Sequence, residues 1–383
     1  MMSKQTSVEV LIVGGGLAGY GLAEALVRQG MEAEGICLLE ASHPGAGSSG
    51  NVGAMLNPLP GRSLYPKPGY PEAFVYVRDW IAAQQAQTDT RFTLRYPVVR
   101  PLIEELGAEQ MRRSFARGKE VLDFLEAREL SAAEVATQYP LLAPTEGAIE
   151  LRPGVAVEFG LLVRDLAERL REAGVVWSAE GPVTQLEWTG QEWLCRTEHE
   201  ERRAKRVVLA VGADLDEWFP ALPMQMTGGE LAVFSPPEGM ALNCMVSAAG
   251  YVTTRCDGNW AVGATFWHGQ KHSDFSQEEI FERLRGKAKR LIPCIVDAKP
   301  VSTWFGVRAI FRTDRQPIVG VVPTMPSCYL MGAFASKGLL WIPWMAESLA
   351  KTMLQKEDHI HPAASILRLK EKNFVPAPSR VLL

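Results

Sequence analysis

The sequence predicts a two-domain α/β protein, in which a parallel sheet with flanking helices carries an inserted antiparallel sheet. A strand, a glycine-rich turn, a helix and a second strand occupy roughly the first 40 residues, which makes one βαβ unit. Strand-like runs dominate residues 223–307 instead. The chain has 383 residues, more than a single hydrophobic core usually serves, so two domains are expected.

The first three elements follow from hydrophobic patterning. Residues 8–13 form an apolar, β-branched-rich run that ends at three glycines, as expected for a buried strand of a parallel sheet. Residues 17–29 place apolar side chains at helical spacing and stop before Gly30, a residue type common just after a helix. Residues 36–40 predict a second short buried strand.

The remaining elements are predicted in the same way. Helical patterns occupy residues 72–87, 108–116, 118–127, 157–173, 277–291 and 338–354. Strand patterns occupy residues 175–178, 183–189, 193–197, 206–211, 230–234, 250–254, 260–265 and 328–331. We expect one domain to comprise residues 1–80, 150–222 and 305–383, and the other 81–149 and 223–304.

A segment rich in Gly, Ser and Pro, residues 42–71, is too long for an ordinary connector. Long irregular segments inside compact domains are typically functional. Both a mobile lid and a rigid wall of a binding site are consistent with its composition.

Composition and charge narrow the function classes. The content of 47% hydrophobic and 22% charged residues is that of an ordinary globular protein, and the net charge of −4 gives no general polyanion-binding surface. One short basic run, Arg202, Arg203, Lys205 and Arg206, is expected to be a solvated strand edge. The six cysteines and six histidines lack metal-ligand spacing, so no metal is predicted. Without a signal-peptide pattern or a membrane-spanning apolar run, the sequence predicts a cytoplasmic protein with no membrane partner.

Residues 14–19, Gly-Gly-Gly-Leu-Ala-Gly, satisfy the G-x-G-x-x-G fingerprint in its required strand-to-helix context. Its first glycine allows the tight turn, the second lets the backbone approach a pyrophosphate, and the third lets helix and strand pack closely. The helix N-terminus offers free N–H groups and partial positive charge to the diphosphate. Glu40, at the end of the second strand, would accept hydrogen bonds from ribose hydroxyls and repel a 2′-phosphate. The predicted dinucleotide contacts are Gly14, Gly16, Leu17, Ala18, Gly19, Glu40 and Ala41.

The fingerprint alone does not separate FAD from NAD, but five further segments do. They are 48–56 (Ser-Ser-Gly-Asn-Val-Gly-Ala-Met-Leu), 181–184 (Gly-Pro-Val-Thr), 208–213 (Val-Leu-Ala-Val-Gly-Ala), 306–308 with 313–320, and 332–339 (Gly-Ala-Phe-Ala-Ser-Lys-Gly-Leu). In this order they resemble the FAD-dependent D-amino-acid-oxidase-like superfamily, which includes glycine oxidase and sarcosine oxidase. The third segment departs from the family, because Asp214 stands where an aromatic residue is usual.

The resemblance implies a Rossmann-like FAD-binding domain with an antiparallel-sheet substrate domain. FAD is expected to be noncovalent, because no cysteine lies beside the segments that resemble the family's flavin-contacting ones. A helix beginning near Gly338 would direct its N-terminal amides at the flavin N1/O2 edge, where reduction places negative charge. The Lys337 side chain either adds charge there or faces solvent, and we favour the backbone as the stabilising group. The flavin contacts implied by the resemblance are Ser48, Ser49, Gly53, Met55, Val183, Gly212, Ser336, Lys337, Gly338 and Leu339.

Two residues are the main substrate-site candidates. Arg308 matches the family arginine that pairs with the carboxylate of an amino-acid substrate, and a structural salt bridge with Asp314 is the alternative. Tyr251 resembles the tyrosine that supports the same carboxylate, and a tyrosine at the core edge is the alternative. Weaker candidates are Arg255, His268 and Trp341.

Three functional hypotheses follow. The first is FAD-dependent oxidation of a C–N bond in a small amino or imino acid by hydride transfer to flavin N5, with Arg308 clamping the carboxylate. Residues 49–51, 263–266, 306–308 and 336–339 also resemble the oxidase half of a bifunctional tRNA-modifying enzyme. In this second hypothesis the substrate is carboxymethylaminomethyl-uridine in tRNA. Because the net charge is acidic, a tRNA substrate is less favoured than a small amino or imino acid. The third is a flavin-binding protein without activity.

Overall fold

The computed structural model of the chain describes residues 7–57, 59, 64–65, 67–103, 107–118, 126–179, 181–248 and 250–383. Its strands are β1 (Val8–Val13), β2 (Ile36–Leu39), β3 (Ala54–Leu56), β4 (Thr93–Arg95), β5 (Val98–Pro101), β6 (Glu126–Ser131), β7 (Gly147–Arg152), β8 (Val155–Val157), β9 (Val176–Ser178), β10 (Gln185–Trp188), β11 (Trp193–Arg196), β12 (Glu201–Leu209), β13 (Met224–Ser235), β14 (Met245–Ser247), β15 (Tyr251–Thr254), β16 (Trp260–Gly263), β17 (Trp267–His268), β18 (Lys299–Phe311), β19 (Ile318–Val321), β20 (Cys328–Gly332) and β21 (Val381–Leu382). Its helices are α1 (Leu17–Arg28), α2 (Tyr70–Gln85), α3 (Ala108–Gly118), α4 (Ala132–Gln138), α5 (Phe159–Glu172), α6 (Leu215–Trp218), α7 (Gln277–Ala288) and α8 (Gly338–Gln355).

The first sheet is built around β1. Its strand order is β21-β10-β11-β12-β1-β2-β9, and β20 pairs with β12 and β19. The pairs that β1 makes with β12 and β2 are parallel, so Val13 lies level with Leu209 and Leu39. One face packs on α1, α5 and α8, because β1 alternates Val10 and Ile12 into that core and Leu11 into the opposite one. The carboxyl ends of β1, β2, β9 and β12 therefore meet at one edge.

The second sheet is largely antiparallel. Its order is β17-β13-β16-β15-β14-β5-β7-β6, and β18 pairs with β13 along almost its whole length. Helix α7 covers one face with apolar side chains such as Ile280 and Leu284. A small antiparallel sheet, β3-β8-β4, lies apart from both. Parallel strands with helices in one sheet and antiparallel strands in another confirm the predicted α/β fold class.

Several predicted boundaries differ from the structure. The helix predicted at 157–173 begins at Phe159, because the preceding residues form β8 and pair with β3 and β4. The strand predicted at 206–211 begins at Glu201, since β11 pairs with its polar first half. The helix predicted at 118–127 is described only at its two ends. Residue 118 is the last residue of α3, residues 126 and 127 belong to β6, and residues 119–125 lie outside the described residues.

The basic run lies in β12, and Arg203 and Lys205 are solvent-exposed as predicted, although β12 is flanked by β11 and β1 and is not an outer strand of the sheet. Three of its cations form ion pairs: Arg202 with Glu200 at 2.6 Å, Arg203 with Glu192 at 2.7 Å and Lys205 with Glu9 at 2.5 Å. The run is therefore largely neutralised within the protein.

The predicted domain boundaries near residues 150 and 305 fall inside β7 and β18. The division of the chain into two domains at these positions stays a prediction. Among the helices of the described residues, none is both long and apolar enough to cross a membrane.

Candidate active site

The fingerprint turn connects β1 to α1 and leaves no room for side chains. Gly14 has φ +111° and donates its N–H to the Leu39 carbonyl at 2.8 Å. A Cβ there would lie 2.9 Å from the Ala210 carbonyl carbon, and a Cβ on Gly19 would overlap the Gly14 carbonyl oxygen. Only glycine permits this approach of helix, turn and neighbouring strand. The two glycines thus allow β1, the turn, the start of α1 and β12 to pack closely together.

The Glu40 side chain forms hydrogen bonds with the backbone that its place in the sequence did not predict. Its carboxylate accepts the Gly15 N–H at 2.6 Å and the Ser42 N–H at 3.1 Å. It thereby joins the end of β2 to the fingerprint turn. Its own N–H donates at 3.0 Å to the carbonyl of Ser178, whose Oγ is buried with no hydrogen-bond partner among the described residues. Glu40 is half-buried, and Ala41, which follows it, is exposed.

The loop of residues 48–54 contacts the N-terminus of α1. Ser49 Oγ accepts the Leu17 N–H at 2.9 Å, and Ser48 donates its hydroxyl proton to the Val307 carbonyl of β18. The first turn of α1, which includes Ala18, has no acidic side chain of its own, although Glu40 and Ser49 from other segments accept the N–H groups of Gly15 and Leu17. A Cβ on Gly16 would lie 3.0 Å from Ser49 Oγ, so backbone and loop approach closely.

The same loop reaches the second sheet. Gly53 donates its N–H to Asn51 Oδ1 at 2.8 Å, and a Cβ added to it would lie 3.2 Å from Thr253 Cγ2. Met55 follows in β3 and pairs with Ala156 of β8. The described part of the 42–71 segment thus contacts the start of α1 and the second sheet. Residues 58, 60–63 and 66, on which the lid hypothesis partly depends, lie outside the described residues.

The C-terminal segment leads from β20 into α8 through a single 3₁₀ turn, Ala335–Lys337. Ser336 is exposed, whereas Leu339 is buried in the core behind the helix. Lys337 does not simply face solvent, because its Nζ donates to the Arg315 carbonyl and lies 5.7 Å from the centre of the Tyr70 ring. Burial, with the charge of Lys67 nearby, lowers the pKa of Lys337 to about 8. Gly338 begins α8, so that helix presents its N-terminal amides at this turn.

Two other predicted cofactor contacts lie at the edge of the first sheet. Val183 precedes β10, which begins only at Gln185, and its carbonyl accepts a hydrogen bond from Arg380 at 3.1 Å. Gly212, with φ +56°, is exposed after β12 and opens a short 3₁₀ turn.

Arg308 of β18 and Tyr251 of β15 share one electrostatic environment. Burial lowers the pKa of the Arg308 guanidinium, and the neighbouring Tyr251 and Glu230 oppose that effect. Burial raises the pKa of Tyr251 to about 12, against the charge of Arg308 and a hydrogen bond with Asn51. At neutral pH the pair is therefore a cation and a protonated hydroxyl, both suited to a carboxylate.

The salt-bridge alternative for Arg308 is wrong, because Asp314 pairs with Arg368 at 2.8 Å. Within the described residues, no carboxylate forms an ion pair with Arg308. Its Nη1 faces the carbonyls of Gly228 at 3.4 Å and Thr265 at 3.5 Å, which are too long for strong hydrogen bonds. The donors of this half-buried cation are thus largely unused by the protein.

Two neighbouring glycines in β13 make room for side chains of β18, Gly229 for this arginine and Gly228 for Phe305. A Cβ on Gly229 would lie 2.9 Å from Arg308 Nη2, and a Cβ on Gly228 would lie 2.7 Å from Phe305 Cζ. Glycines inside a strand often mark such a close approach, and this signal was present in the sequence but not used.

Sequence reasoning missed Glu230 and Phe266. Glu230 is fully buried and accepts hydrogen bonds from Trp267 Nε1 at 2.7 Å, Ser273 Oγ at 2.7 Å and the Thr265 hydroxyl. Phe266 is 56% exposed, and its ring centre lies 4.5 Å from the Arg308 guanidinium carbon. Neither property is visible in a strand pattern, because both depend on what the loop after β16 packs against.

The weaker candidates have other neighbours. Arg255 pairs with Glu158 at 2.7 Å, which accounts for its charge. Trp341 is completely buried and stacks on Trp344 at 5.6 Å between ring centres, so this weaker candidate is a core residue. His268 Nδ1 lies 3.1 Å from the hydroxyl of Thr227, the residue opposite Arg308 on β13, which keeps this imidazole near the candidate site.

The sequence and the fold match known proteins over most of the chain. The family model described as DAO, FAD dependent oxidoreductase, matches residues 9–352. The tRNA 5-methylaminomethyl-2-thiouridine biosynthesis bifunctional protein of Chromohalobacter salexigens is 25% identical over 94% of this chain and 56% of its own length. The chain thus spans little more than half of that relative. The glycine oxidase of Pseudomonas aeruginosa is 28% identical over 44% of this chain and 46% of its own. The crystal structure of glycine oxidase from Geobacillus kaustophilus superposes with a TM-score of 0.85 at 21% identity, covering 94% of this chain and 99% of that one, which shows the shared fold.

Proposed function

The chain belongs to the FAD-dependent oxidoreductase (DAO) family, and from that premise we propose that it oxidises a C–N bond in a small amino or imino acid whose carboxylate is held by Arg308. Bound noncovalently, FAD would supply the hydride acceptor, its N5 atom. The fingerprint turn with Gly14, Gly16 and Gly19 would hold its diphosphate, and Glu40 would hold its ribose.

Arg308 and Tyr251 would bind and orient the substrate. The guanidinium would pair with both carboxylate oxygens, and the Tyr251 hydroxyl, protonated up to a pKa of about 12, would donate a further hydrogen bond. Asn51 would keep that hydroxyl in place. Two fixed contacts on one carboxylate leave little rotational freedom, so the C–N bond would be presented in a single orientation.

One observation carries the proposal. A half-buried arginine without an ion-pair partner among the described residues lies beside a buried tyrosine hydroxyl, at the point where the 48–54 loop joins β18. Keeping such a cation desolvated and unpaired is costly, and an anionic ligand removes that cost.

Substitution of Arg308 tests the proposal directly. The FAD-loaded protein is mixed anaerobically with glycine, N-methyl amino acids and D-amino acids, and bleaching of the flavin absorbance is followed. Loss of a bidentate charged pair should lower the apparent second-order rate of bleaching by about 10²-fold in Arg308→Ala. Arg113→Ala, which removes an arginine on the exposed face of α3, is the matched control. Equal bleaching rates in the Arg308→Ala variant and the wild type would show that no carboxylate clamp exists.

The bifunctional relative supports a second candidate, in which the same clamp would hold the carboxymethyl group of carboxymethylaminomethyl-uridine in tRNA. The ion pairs of Arg202, Arg203 and Lys205 leave that basic run little charge for a phosphate backbone, so the small-molecule substrate is favoured. Bleaching by modified tRNA, with a steep salt dependence, would reverse that preference.

A further inference from the structure

We propose that Phe266 forms a stacking subsite beside the carboxylate clamp, and that the substrate carries a flat ring which packs on it. The inference rests on the proposed function in taking Arg308 as the clamp. It adds the chemical class of the group attached to the amino acid, which the clamp itself does not determine.

The loop that carries Phe266 is held on both sides. Thr265 and Trp267 both donate hydrogen bonds to the buried Glu230 carboxylate, the second at 2.7 Å. Lys287 of α7 donates to the Ala264 carbonyl at 3.0 Å. Because the residues on either side are anchored inward, Phe266 is forced outward, and its 56% exposure is a built feature of the loop.

The Phe266 ring covers one face of the Arg308 guanidinium, and Nη1 is turned towards the carbonyls of Gly228 and Thr265. The Phe266 ring lies 4.5 Å from the guanidinium carbon, and the backbone of Gly229 lies against the two Nη atoms. A carboxylate that pairs with the remaining N–H donors of Arg308 would therefore lie beside the Phe266 ring. The rest of a substrate bound in this way must extend beside the exposed part of the Phe266 ring.

The chemistry of that exposed surface favours a ring. A phenyl group beside a cation offers an apolar, π-bearing face, and a flat partner gains both apolar burial and offset or edge-on stacking. A methyl or a hydrogen in the same place would leave most of the ring in water. Glycine and sarcosine therefore fit the clamp but leave the subsite unused.

The test compares matched pairs of compounds on the FAD-loaded protein. The pairs are N-benzylglycine with sarcosine, phenylalanine with alanine in both enantiomers, and 5-carboxymethylaminomethyluridine with sarcosine. The last pair separates a nucleobase from an aromatic side chain as the source of the ring. We expect the ring-bearing member of at least one pair to bleach the flavin about two- to twelvefold more efficiently in kcat/KM than its ring-free partner.

Variants of Phe266 identify the cause. The ring preference should persist in Phe266→Tyr and disappear in Phe266→Leu, which keeps an apolar side chain but no ring. Leu367→Ala, which removes another strongly exposed apolar side chain, should keep the preference. A ratio near one in the wild type for every pair, or an unchanged ratio in Phe266→Leu, overturns the inference and leaves the clamp intact.

An unreactive pair of ligands separates this inference from the proposed function. Phenylacetate and acetate are titrated calorimetrically against the same proteins, so no flavin reduction is needed. Tighter binding of phenylacetate that is lost in Phe266→Leu supports the subsite even if no amino acid bleaches the flavin. Equal affinities for the two carboxylates refute it.

Discussion

Alanine substitutions at Gly19 and Gly21 place the same change two residues apart in α1 with opposite expected results. A methyl group on Gly19 would overlap the Gly14 carbonyl oxygen and lie 3.3 Å from Ile12 Cγ2. A methyl group on Gly21 would find its nearest neighbours, Ile342 Cγ2 and Ala346 Cβ, at 3.8 and 3.9 Å, which is ordinary contact. Helix propensity favours alanine at both sites by about 1 kcal/mol, so any difference reports the fit of the turn.

The size of the effect follows from the overlap. To accept Gly19→Ala, the start of α1 must move roughly 1 Å away from the turn. Overpacking of this kind costs about 1–3 kcal/mol, which offsets or exceeds the gain in helix propensity. The same shift would weaken at least one charge-assisted bond from the helix N-terminus to the FAD diphosphate, worth about 1.5–3 kcal/mol, or roughly a 10- to 100-fold rise in Kd.

The assay is a titration of apoprotein into FAD, followed by quenching of flavin fluorescence, with urea unfolding of each apoprotein. Gly21→Ala should keep the wild-type Kd and raise the free energy of unfolding by about 0.4–1 kcal/mol. A Gly19→Ala protein that binds FAD with the wild-type Kd would refute the assignment of the fingerprint turn to the diphosphate. Equal weakening in both variants would show that the helix as a whole, and not this contact, controls affinity.

Two further predictions concern Lys337 and the attachment of the flavin. The pKa of Lys337 is about 8 in the folded protein and 10.5 in the unfolded chain. Between these two pH values the unfolded chain binds more protons than the folded protein does, so the free energy of unfolding rises as the pH increases from 8 towards 10.5. Urea unfolding of apoprotein should therefore show that the stability advantage of Lys337→Met over the wild type shrinks by about 1–2 kcal/mol from pH 8 to pH 10.5, after a discount for solvent screening. The control Lys289→Met, at an exposed lysine, should show no such trend. A difference between Lys337→Met and the wild type that does not change with pH would contradict a buried amine. Acid precipitation of the holoprotein should release all FAD into the supernatant, whereas yellow colour in the washed pellet would show a covalent bond.

The parts of the site that were predictable from the sequence are those built from neighbouring residues. The strand, turn and start of α1 lie within residues 8–19, so spacing alone showed where glycine is needed. Arg308 and Tyr251 were found through resemblance to a family, since a lone arginine in a strand has no distinguishing local pattern. The resemblance named these residues but left their surroundings unspecified.

The errors have a common physical cause. Trp341 was a weak substrate-site candidate by its nearness to the Ser-Lys-Gly turn, yet α8 turns it into the core against Trp344. Asp314 is six residues from Arg308 in the chain, yet β18 ends between them and Arg368 takes its charge. Nearness in sequence is a poor guide to contact once a helix face or a strand end intervenes.

The sequence by itself determined β1, the glycine turn, α1, β2 and the family, because these depend on periodicity and on short ordered motifs. Only the tertiary structure decided which side chains meet: Ser48 bonds β18 across 259 positions of the chain, and Glu230 of β13 anchors the loop that lays Phe266 on Arg308. Such contacts are set by strand register and by the space that glycines leave. If the strands were displaced by a few ångströms, these residues would no longer be in contact. Such a displacement cannot be predicted from a local sequence pattern.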